Sequence, residues 1–480
     1  PLHRVDRLCG KDAGMNEYPD HSTLSRRRLL GLGATGAVAA TLPASVIAQR
    51  PPAPDWPKPK QPVRNIIFMV SDGMSMGAFT LAEMMRKHKG MGPSHWRMLW
   101  DKPGVRRATC MTHSADGWVT DSAAAGSAWG SGEHINNGAI NFTPDERTPE
   151  PIHITAQKLG KATGLVATSR ITHATPASFV ANVPKRSLED AIAEQILDRN
   201  VDVALGGGAK HFPAELLAKH PDVTLARSLA DLNAASNKTG RLLGLFHDDH
   251  CHYELDRPAD LPSLRQMAEV ALRKLEDSNS GFVLQIEGAR IDHAAHDNDA
   301  AGMIFDQIEF DETVGAVAKW AEDRDDTLII VTTDHACANP GLTYYAESGN
   351  KSFDKLSNAT RSFEWISREF RKSDKSIDSL ASIIETATSI RLDENELATL
   401  GKAAFERQPI DAFDIANGTL VTLGALLANH TGVAFLSPNH TADYVEVTAL
   451  GPGSEEMPAF IDNIHLHSMM LAAMDTRVPD

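Results

Sequence analysis

The stretch Asn65-Ile66-Ile67-Phe68-Met69-Val70-Ser71-Asp72-Gly73 decides the fold class of this 480-residue chain. Its continuous apolar run is typical of a strand buried on both faces, and the Ser-Asp-Gly that follows predicts a loop at the carboxyl end of that strand. Similar runs recur further along the chain, at 164–168, 201–205, 282–286 and 328–332. Segments with helical periodicity lie between them, at 188–197, 264–275 and 303–320. Strands alternating with helices predict an α/β fold, a doubly wound and mainly parallel sheet with helices on both faces.

The pattern also divides the chain into segments. Residues 341–428 interrupt the alternation with polar, helix-prone sequence, and a strand-like run resumes at 444–450. We therefore expect one main domain over 63–480, in which 341–428 form a helical insertion, a cap or lobe whose role the sequence leaves open. Residues 49–62 contain six prolines, which predicts an extended linker before this domain.

Composition limits the class of protein. The chain has 47 Lys and Arg against 63 Asp and Glu, a formal net charge of −16, and 42% hydrophobic residues. These fractions are typical of a globular protein, and the acidic balance argues against a nucleic-acid-binding role because phosphates would be repelled. Twenty His beside the many carboxylates supply residues that could bind metal ions.

The N-terminus has the pattern of an export signal. Ser25-Arg26-Arg27-Arg28-Leu29-Leu30 precedes an uncharged stretch that ends at Ala48, which predicts a twin-arginine signal peptide over 1–48. The protein is then expected in the periplasm or secreted, with no stable membrane anchor after cleavage. Cleavage would leave three of the four Cys, which are too few and too scattered for a disulfide framework.

Residues whose side chains could bind a metal ion follow the predicted strands. Asp72, Glu287 and the pair Asp334-His335 each come directly after an apolar run. Ligands of open α/β sheets bind outside the carboxyl ends of the strands, so these side chains are expected at one site. Carboxylate oxygens and imidazole nitrogens there are suitable zinc ligands.

Two further segments offer reactive groups. Ser122 begins a small-residue segment, where its hydroxyl could be a nucleophile or only a helix cap. Asp292 and His296 are four residues apart, so one helix face could present both to one cation, although such pairs also occur on solvated surfaces.

Six motifs occur in an order that resembles the alkaline phosphatase family. They are Val70-Ser71-Asp72-Gly73, Thr120-Asp121-Ser122-Ala123, His173-Ala174-Thr175-Pro176, the segment Ile286 to His296, Thr333-Asp334-His335 and Asn439-His440-Thr441. The resemblance covers residues 65–475. It implies an exported hydrolase of phosphate monoesters that uses two zinc ions, one magnesium ion and a phosphoserine intermediate.

The resemblance also implies a role for each matching residue. The first zinc would be bound by Asp292, His296 and His440, and the second by Asp72, Asp334 and His335 beside the nucleophile Ser122. The magnesium ion would be bound by Asp72, Thr175 and Glu287. His173 and His293 would lie next to these ligands, at places where some bacterial members carry Asp and Lys and animal members carry His. Arg186 would bind the phosphate group.

Several alternatives stay open at this stage. His430, like His440, lies in an Asn-His-Thr motif, and Lys185 adjoins Arg186. Within the superfamily the chain could instead be a phosphodiesterase or a sulfatase, and a non-catalytic protein that binds phosphate or metal is a further alternative. Members of the family are often homodimers, but the sequence leaves the oligomeric state open. The His-rich segment 247–252 is interpreted as a surface loop, and Cys337 as a packing residue.

Overall fold

The structure is a computed structural model that describes residues 56–236, 238–406 and 418–474. The predicted signal peptide, 1–48, lies outside the described residues. Of the predicted linker, only residues 56–62 are described, and they contain no helix or strand. Trp56 in this segment packs against the apolar core and donates a hydrogen bond from Nε1 to Gly453 O at 3.4 Å.

A sheet of ten strands organises the domain, in the spatial order β14-β2-β13-β8-β1-β7-β3-β4-β6-β5. Its strands are β1 (Asn65–Ser71), β2 (Arg106–Met111), β3 (Ala162–Arg170), β4 (Val203–Gly207), β5 (Val223–Ala226), β6 (Arg241–Leu245), β7 (Phe282–Gly288), β8 (Thr327–Thr332), β13 (Val445–Leu450) and β14 (Phe460–Asp462). Only β13 pairs antiparallel with its two neighbours among these strands. Two short antiparallel pairs lie outside the sheet: β9 (Ala336–Cys337) with β12 (His440–Thr441), and β10 (Gly341–Leu342) with β11 (Val433–Ala434).

The first strand lies in the middle of the sheet, which explains its apolar sequence. It pairs in parallel with β7 on one side and β8 on the other. Ile67 and Met69 enter the apolar core on one face, and Ile66, Phe68 and Val70 enter the core on the other. Successive side chains of a strand point to opposite faces, so a strand covered on both sides requires apolar residues throughout.

Helices cover both faces. On the face of Ile67 lie α1 (Met76–His88), α2 (His95–Trp100), α9 (Leu264–Leu275), α10 (Arg290–His296) and α11 (Ala300–Trp320). On the other lie α3 (Ser122–Ser131), α4 (Ile152–Lys158), α5 (Ala174–Ser178), α6 (Glu189–Asp198) and α17 (Ile464–Met474). Two short helices, α7 (Ala214–Leu217) and α8 (Leu229–Ala235), connect the outer strands. The predicted fold class is thereby confirmed.

The segment predicted as an insertion contains α12 (Ala346–Asp354), α13 (Phe363–Lys372), α14 (Ile377–Thr388) and α15 (Glu394–Gly401), and α16 (Thr419–Thr431) extends just beyond its end. The last four of these helices share an apolar cluster of their own, which includes Phe363, Ile384 and Leu423. Among the described residues, no helix is both long enough and apolar enough to cross a membrane.

Candidate active site

The parallel strands bring the predicted carboxylates together. Val70 in β1 pairs with Glu287 in β7 and with Thr332 in β8, so Asp72 follows β1 at the same sheet edge as Glu287 and the Asp334-His335 pair. All four side chains are fully buried. This edge is the carboxyl end of three adjacent strands, where the fold class places its ligand site.

A first group of possible metal ligands consists of Asp292, His296 and His440. His296 Nε2 lies 2.9 Å from His440 Nε2 and 3.3 Å from Asp292 Oδ2. The other ring nitrogens pair with main-chain carbonyls, His296 Nδ1 with Pro438 O at 2.5 Å and His440 Nδ1 with Thr120 O at 2.8 Å. This arrangement directs both Nε2 atoms towards one point, as in metal-binding histidines. The His296 side chain is 39% exposed, so the group opens to solvent.

A second group lies beside Ser122. His335 Nε2 is 3.0 Å from Asp334 Oδ2, 3.7 Å from Asp72 Oδ1 and 3.3 Å from Ser122 Oγ. Ser122 is the first residue of α3, and the preceding Asp121 caps that helix by accepting a hydrogen bond from Ala124 N at 2.9 Å. Because Asp121 provides the cap, the Ser122 hydroxyl is not needed for capping and is free to react.

A third group shares Asp72 with the second. Ring and carboxylate atoms of Asp72, His173 and Glu287 lie within 4.8 Å of one another. Thr175, in the first turn of α5, is fully buried. Because His173 is part of this group, the third site offers an imidazole as well as carboxylate and hydroxyl oxygens.

The first and second groups approach each other because residue 73 is glycine. Gly73 has a φ of +69°, and a Cβ atom added there would lie 2.5 Å from Asp292 Oδ1. Its backbone N–H donates to Asp334 Oδ1 at 3.0 Å. Only glycine allows the loop after β1 to turn here and to pass this close to the carboxylate of Asp292.

Arg186 is held at the edge of these groups by two neighbours. Its guanidinium donates to Asp121 Oδ2 at 3.0 Å and lies 2.7 Å from His173 Nε2. The side chain is 15% exposed, so it is partly accessible to solvent. Lys185, the alternative phosphate-binding residue, is exposed.

Burial and mutual repulsion control protonation in the site. Burial, reinforced by the charges of Asp334, Asp292 and Glu287, raises the pKa of Asp72 well above its usual range. Burial raises the pKa of Glu287 to about 8. Burial would also raise the pKa of Asp292, but the adjacent His296 and His440 lower it well below its usual range. Four carboxylates in one buried site thus require nearby positive charge to be ionised together.

The donor atoms fit metal ions. Both carboxylate oxygens of Asp72, Thr175 Oγ1 and Glu287 Oε1 are buried and have no hydrogen-bond partner among the described residues. Buried polar atoms without partners are costly unless a ligand satisfies them. Imidazole with carboxylate suits Zn²⁺ in the first and second groups, and the oxygens of the third suit Mg²⁺.

Two residues outside the predicted ligand sets also lie at the site. Cys337 is buried within the first group, with its Sγ atom 3.9 Å from Asp292 O. It lies there because β9 and β12 pair His440 with Cys337, a contact for which the sequence carries no local signal. His250, from the segment interpreted as a surface loop, packs on His293 with ring centroids 4.3 Å apart. The segment is a loop of half-buried and exposed residues, as predicted. The His250 imidazole packs inward from this loop and lies 2.7 Å from the Arg170 guanidinium.

His430 lies apart from these groups. Its Nε2 atom is 2.9 Å from Glu396 Oε1, and both residues belong to the helices of the insertion. His293 borders the third group, with its ring centroid 5.6 Å from that of His173.

Comparisons with known proteins agree with this fold. The family model described as alkaline phosphatase matches residues 63–476. Alkaline phosphatase 3 of Bacillus subtilis is 29% identical, over 94% of this chain and 98% of the relative. The repressible alkaline phosphatase of Saccharomyces cerevisiae is 34% identical, over 64% of this chain and 61% of the relative. The crystal structure of Thermus thermophilus alkaline phosphatase superposes with a TM-score of 0.82 at 28% identity, covering 91% of this chain and 96% of that one.

The fold and the site define a metal-dependent phosphomonoesterase. The chain belongs to the alkaline phosphatase family, which confirms the predicted resemblance.

Proposed function

We propose that this alkaline phosphatase hydrolyses phosphate monoesters through a phosphoserine intermediate on Ser122, with two zinc ions and one magnesium ion. The observation that carries the proposal is the position of Ser122 Oγ, 3.3 Å from His335 Nε2 at the N-terminus of α3. A helix N-terminus favours negative charge, so it stabilises the developing alkoxide of this serine.

Each of the three groups of donor atoms is assigned one metal ion. Asp292, His296 and His440 bind the first zinc, and Asp72, Asp334 and His335 bind the second. Asp72, Thr175 and Glu287 bind magnesium, and His173 and His293 border that site. When bound, the ions supply positive charge that stabilises the attacking and leaving oxygens of an in-line displacement.

The side chains of the protein perform the remaining tasks. Ser122 Oγ loses its proton and forms a bond to phosphorus as the ester P–O bond breaks. The departing alkoxide takes up a proton through solvent and leaves as the alcohol. Water then hydrolyses the phosphoserine to inorganic phosphate and restores the serine. Arg186, held in place by Asp121 and His173, presents two N–H groups to the non-bridging phosphate oxygens.

The alternative functions would require a different set of residues at the site. A phosphodiesterase or sulfatase does not need an Arg reserved for the doubly charged end of a monoester. A non-catalytic binding protein needs no nucleophile at all, whereas here Ser122 is buried beside the second group of ligands.

Steady-state kinetics on matched substrates test the proposed activity. With zinc and magnesium present, kcat/KM for p-nitrophenyl phosphate is expected to exceed that for bis-p-nitrophenyl phosphate and p-nitrophenyl sulfate by orders of magnitude. A preference for the diester or the sulfate would overturn the assignment. Full metal content without turnover of any of the three would support the non-catalytic alternative.

The location of the protein outside the cytoplasm is also a proposal. The Arg26-Arg27 pair and the uncharged stretch up to Ala48 support twin-arginine export to the periplasm or the medium. Changing both arginines to Lys is expected to retain the precursor in the cytoplasm, and fractionation of expressing cells measures this. Unimpaired export of the double variant would contradict this route.

A further inference from the structure

Three side chains converge at the far end of α3 from Ser122. His113 follows β2, His134 follows α3, and Asp462 is the last residue of β14. His134 Nε2 lies 3.0 Å from Asp462 Oδ1, and His113 Nε2 lies 3.5 Å from Asp462 Oδ2. The helix α3 lies between Ser122 and this His113–His134–Asp462 cluster, and its ten residues span about 15 Å at 1.5 Å per residue.

The hydrogen bonds of the two imidazoles fix which nitrogen faces the carboxylate. His113 Nδ1 lies 2.9 Å from Ser114 O, and His134 Nδ1 lies 3.0 Å from His113 O. A carbonyl oxygen only accepts, so each Nδ1 carries a proton and donates it. In neutral imidazoles this leaves a lone pair on each Nε2, directed at Asp462, the arrangement that metal-binding histidines adopt.

Lone pairs on two imidazole nitrogens and one carboxylate thus face one another in one small space, an arrangement that a bound cation would stabilise. Two protons could do so, but the rings are stacked, with centroids 4.0 Å apart and planes 18° apart, and two imidazolium charges would repel each other at that distance. One divalent ion satisfies all three donors without that repulsion. Ligands around a tetrahedral zinc ion at 2.0–2.1 Å are separated by about 3.3 Å, close to the nitrogen–oxygen distances here.

We propose that His113, His134 and Asp462 bind a divalent transition metal ion of the zinc class, separate from the ions of the active site. The side chains are 12%, 5% and 19% exposed, so solvent can reach one remaining coordination position. Imidazole with one carboxylate and no thiolate is a donor set that Zn²⁺ accepts readily.

The location assigns this ion a structural role. Asp462 pairs in register with Met111 of β2, and the next residue, Asn463, donates from its backbone N–H to Met111 O at 3.1 Å before α17 begins. The ion therefore connects the edge strand β14, the loop after β2 and the segment after α3. It fixes the end of the helix that presents Ser122, and the start of α17.

An ion-pair network of protonated histidines is the competing account. His465 also borders the cluster, since its Nδ1 atom lies 3.4 Å from the backbone N–H of Asp462. In that account both Nε2 atoms carry protons, and their hydrogen bonds would lower the pKa of Asp462 well below its usual range against the opposing effect of burial. An ionised carboxylate can bind a metal ion or pair with two protonated imidazoles. Distinguishing these two accounts therefore requires a direct search for the metal.

The test compares the metal content of full-length chains loaded with zinc and magnesium and then freed of excess ions. The double variant His113→Gln/His134→Gln and, separately, Asp462→Asn are expected to lose one zinc per chain by mass spectrometry. The surface variant His88→Gln, at a His that pairs with Asp354, should retain the wild-type content. Equal zinc content in the wild type and both cluster variants would overturn the proposal.

A second measurement does not depend on the folding of any variant. Wild-type crystals grown with zinc are expected to show an anomalous peak at the zinc edge between His113 Nε2, His134 Nε2 and Asp462, in addition to peaks at the active site. Peaks at the active site without one at this cluster would overturn the proposal.

Discussion

Ser122 Oγ lies 3.3 Å from His335 Nε2, although the two residues are 213 positions apart in the chain. The contact joins the N-terminus of α3 to the loop after β8. It places a hydroxyl at the point where a buried imidazole and two buried carboxylates meet, and the predicted chemistry depends on this geometry.

Replacing the proposed nucleophile should abolish turnover while leaving the fold intact. Ser122→Ala is expected to lower kcat for p-nitrophenyl phosphate at least about 1,000-fold, because no other group forms the covalent intermediate. Ser131→Ala, at the other end of the same helix, is the matched control and should keep most of the activity. Similar losses in both variants would indicate damage to the helix rather than to the reaction.

Arg186 should act on substrate binding and on the transition state through its planar pair of donors. Arg186→Ala is expected to lower kcat/KM about 10- to 100-fold, the value of charge-assisted hydrogen bonds to a phosphate. Arg186→Lys should restore only part of the loss, because an ammonium group cannot bind in the bidentate manner. Lys185→Ala, at the neighbouring exposed residue, should be nearly neutral, and a larger effect there would reverse the assignment.

The two Asn-His-Thr motifs should respond differently to the same substitution. His440 lies 3.4 Å from Asp292 Oδ1, whereas His430 pairs with Glu396. His440→Ala is expected to lose one zinc per chain and most of the activity, as measured by mass spectrometry and kinetics. His430→Ala should retain both, and loss of zinc from this variant instead would assign the first zinc to His430.

Lys161 should make the stability of the protein depend on pH in the alkaline range. Its ammonium group donates to Arg64 O at 2.8 Å and Ser280 O at 2.9 Å, and burial, followed by the charge of Arg64, lowers its pKa to about 8. The unfolded chain therefore holds this proton up to about pH 10.4 while the folded chain releases it near pH 8. Because the unfolded state binds more protons in this window, folding becomes more favourable as the pH rises through it.

The substitution Lys161→Met removes this contribution. The free energy of unfolding of the wild type, measured relative to the variant in urea, is expected to rise by about 1–2 kcal/mol between pH 7.5 and pH 10, since water still screens part of the charge. Lys158→Met, at an exposed lysine paired with Glu150, should show no such trend. If the free energy of unfolding of the wild type, relative to the Lys161→Met variant, fell as the pH rises, the lowered pKa of Lys161 would be contradicted.

The sequence predicted the fold well where the strands are buried on both faces. The runs at 65–70, 282–286 and 328–332 correspond to β1, β7 and β8, the centre of the sheet. It did not reveal β2, whose first residues Arg106 and Arg107 are exposed, because a strand near the sheet edge lacks the continuous apolar pattern. The antiparallel direction of β13 also has no local signal, since the direction depends on the path of the chain.

The candidate site was predictable to the extent that it follows strand ends and short motifs. Asp72, Glu287 and Asp334-His335 share one sheet edge because parallel strands align their carboxyl ends. The contact of Cys337 with Asp292 and that of His250 with His293 depend on pairings between distant segments, and local patterns carry no record of such contacts.

The central claim is that phosphate passes through a covalent bond to Ser122, and trapping that bond tests it most directly. The wild-type protein is incubated with ³²P-labelled phosphate at acidic pH, quenched, digested and examined by mass spectrometry. We expect a phosphorylated peptide that contains Ser122, and no label in the Ser122→Ala variant. Turnover of p-nitrophenyl phosphate by wild-type protein without a phosphorylated Ser122, or label on another residue, would contradict the mechanism.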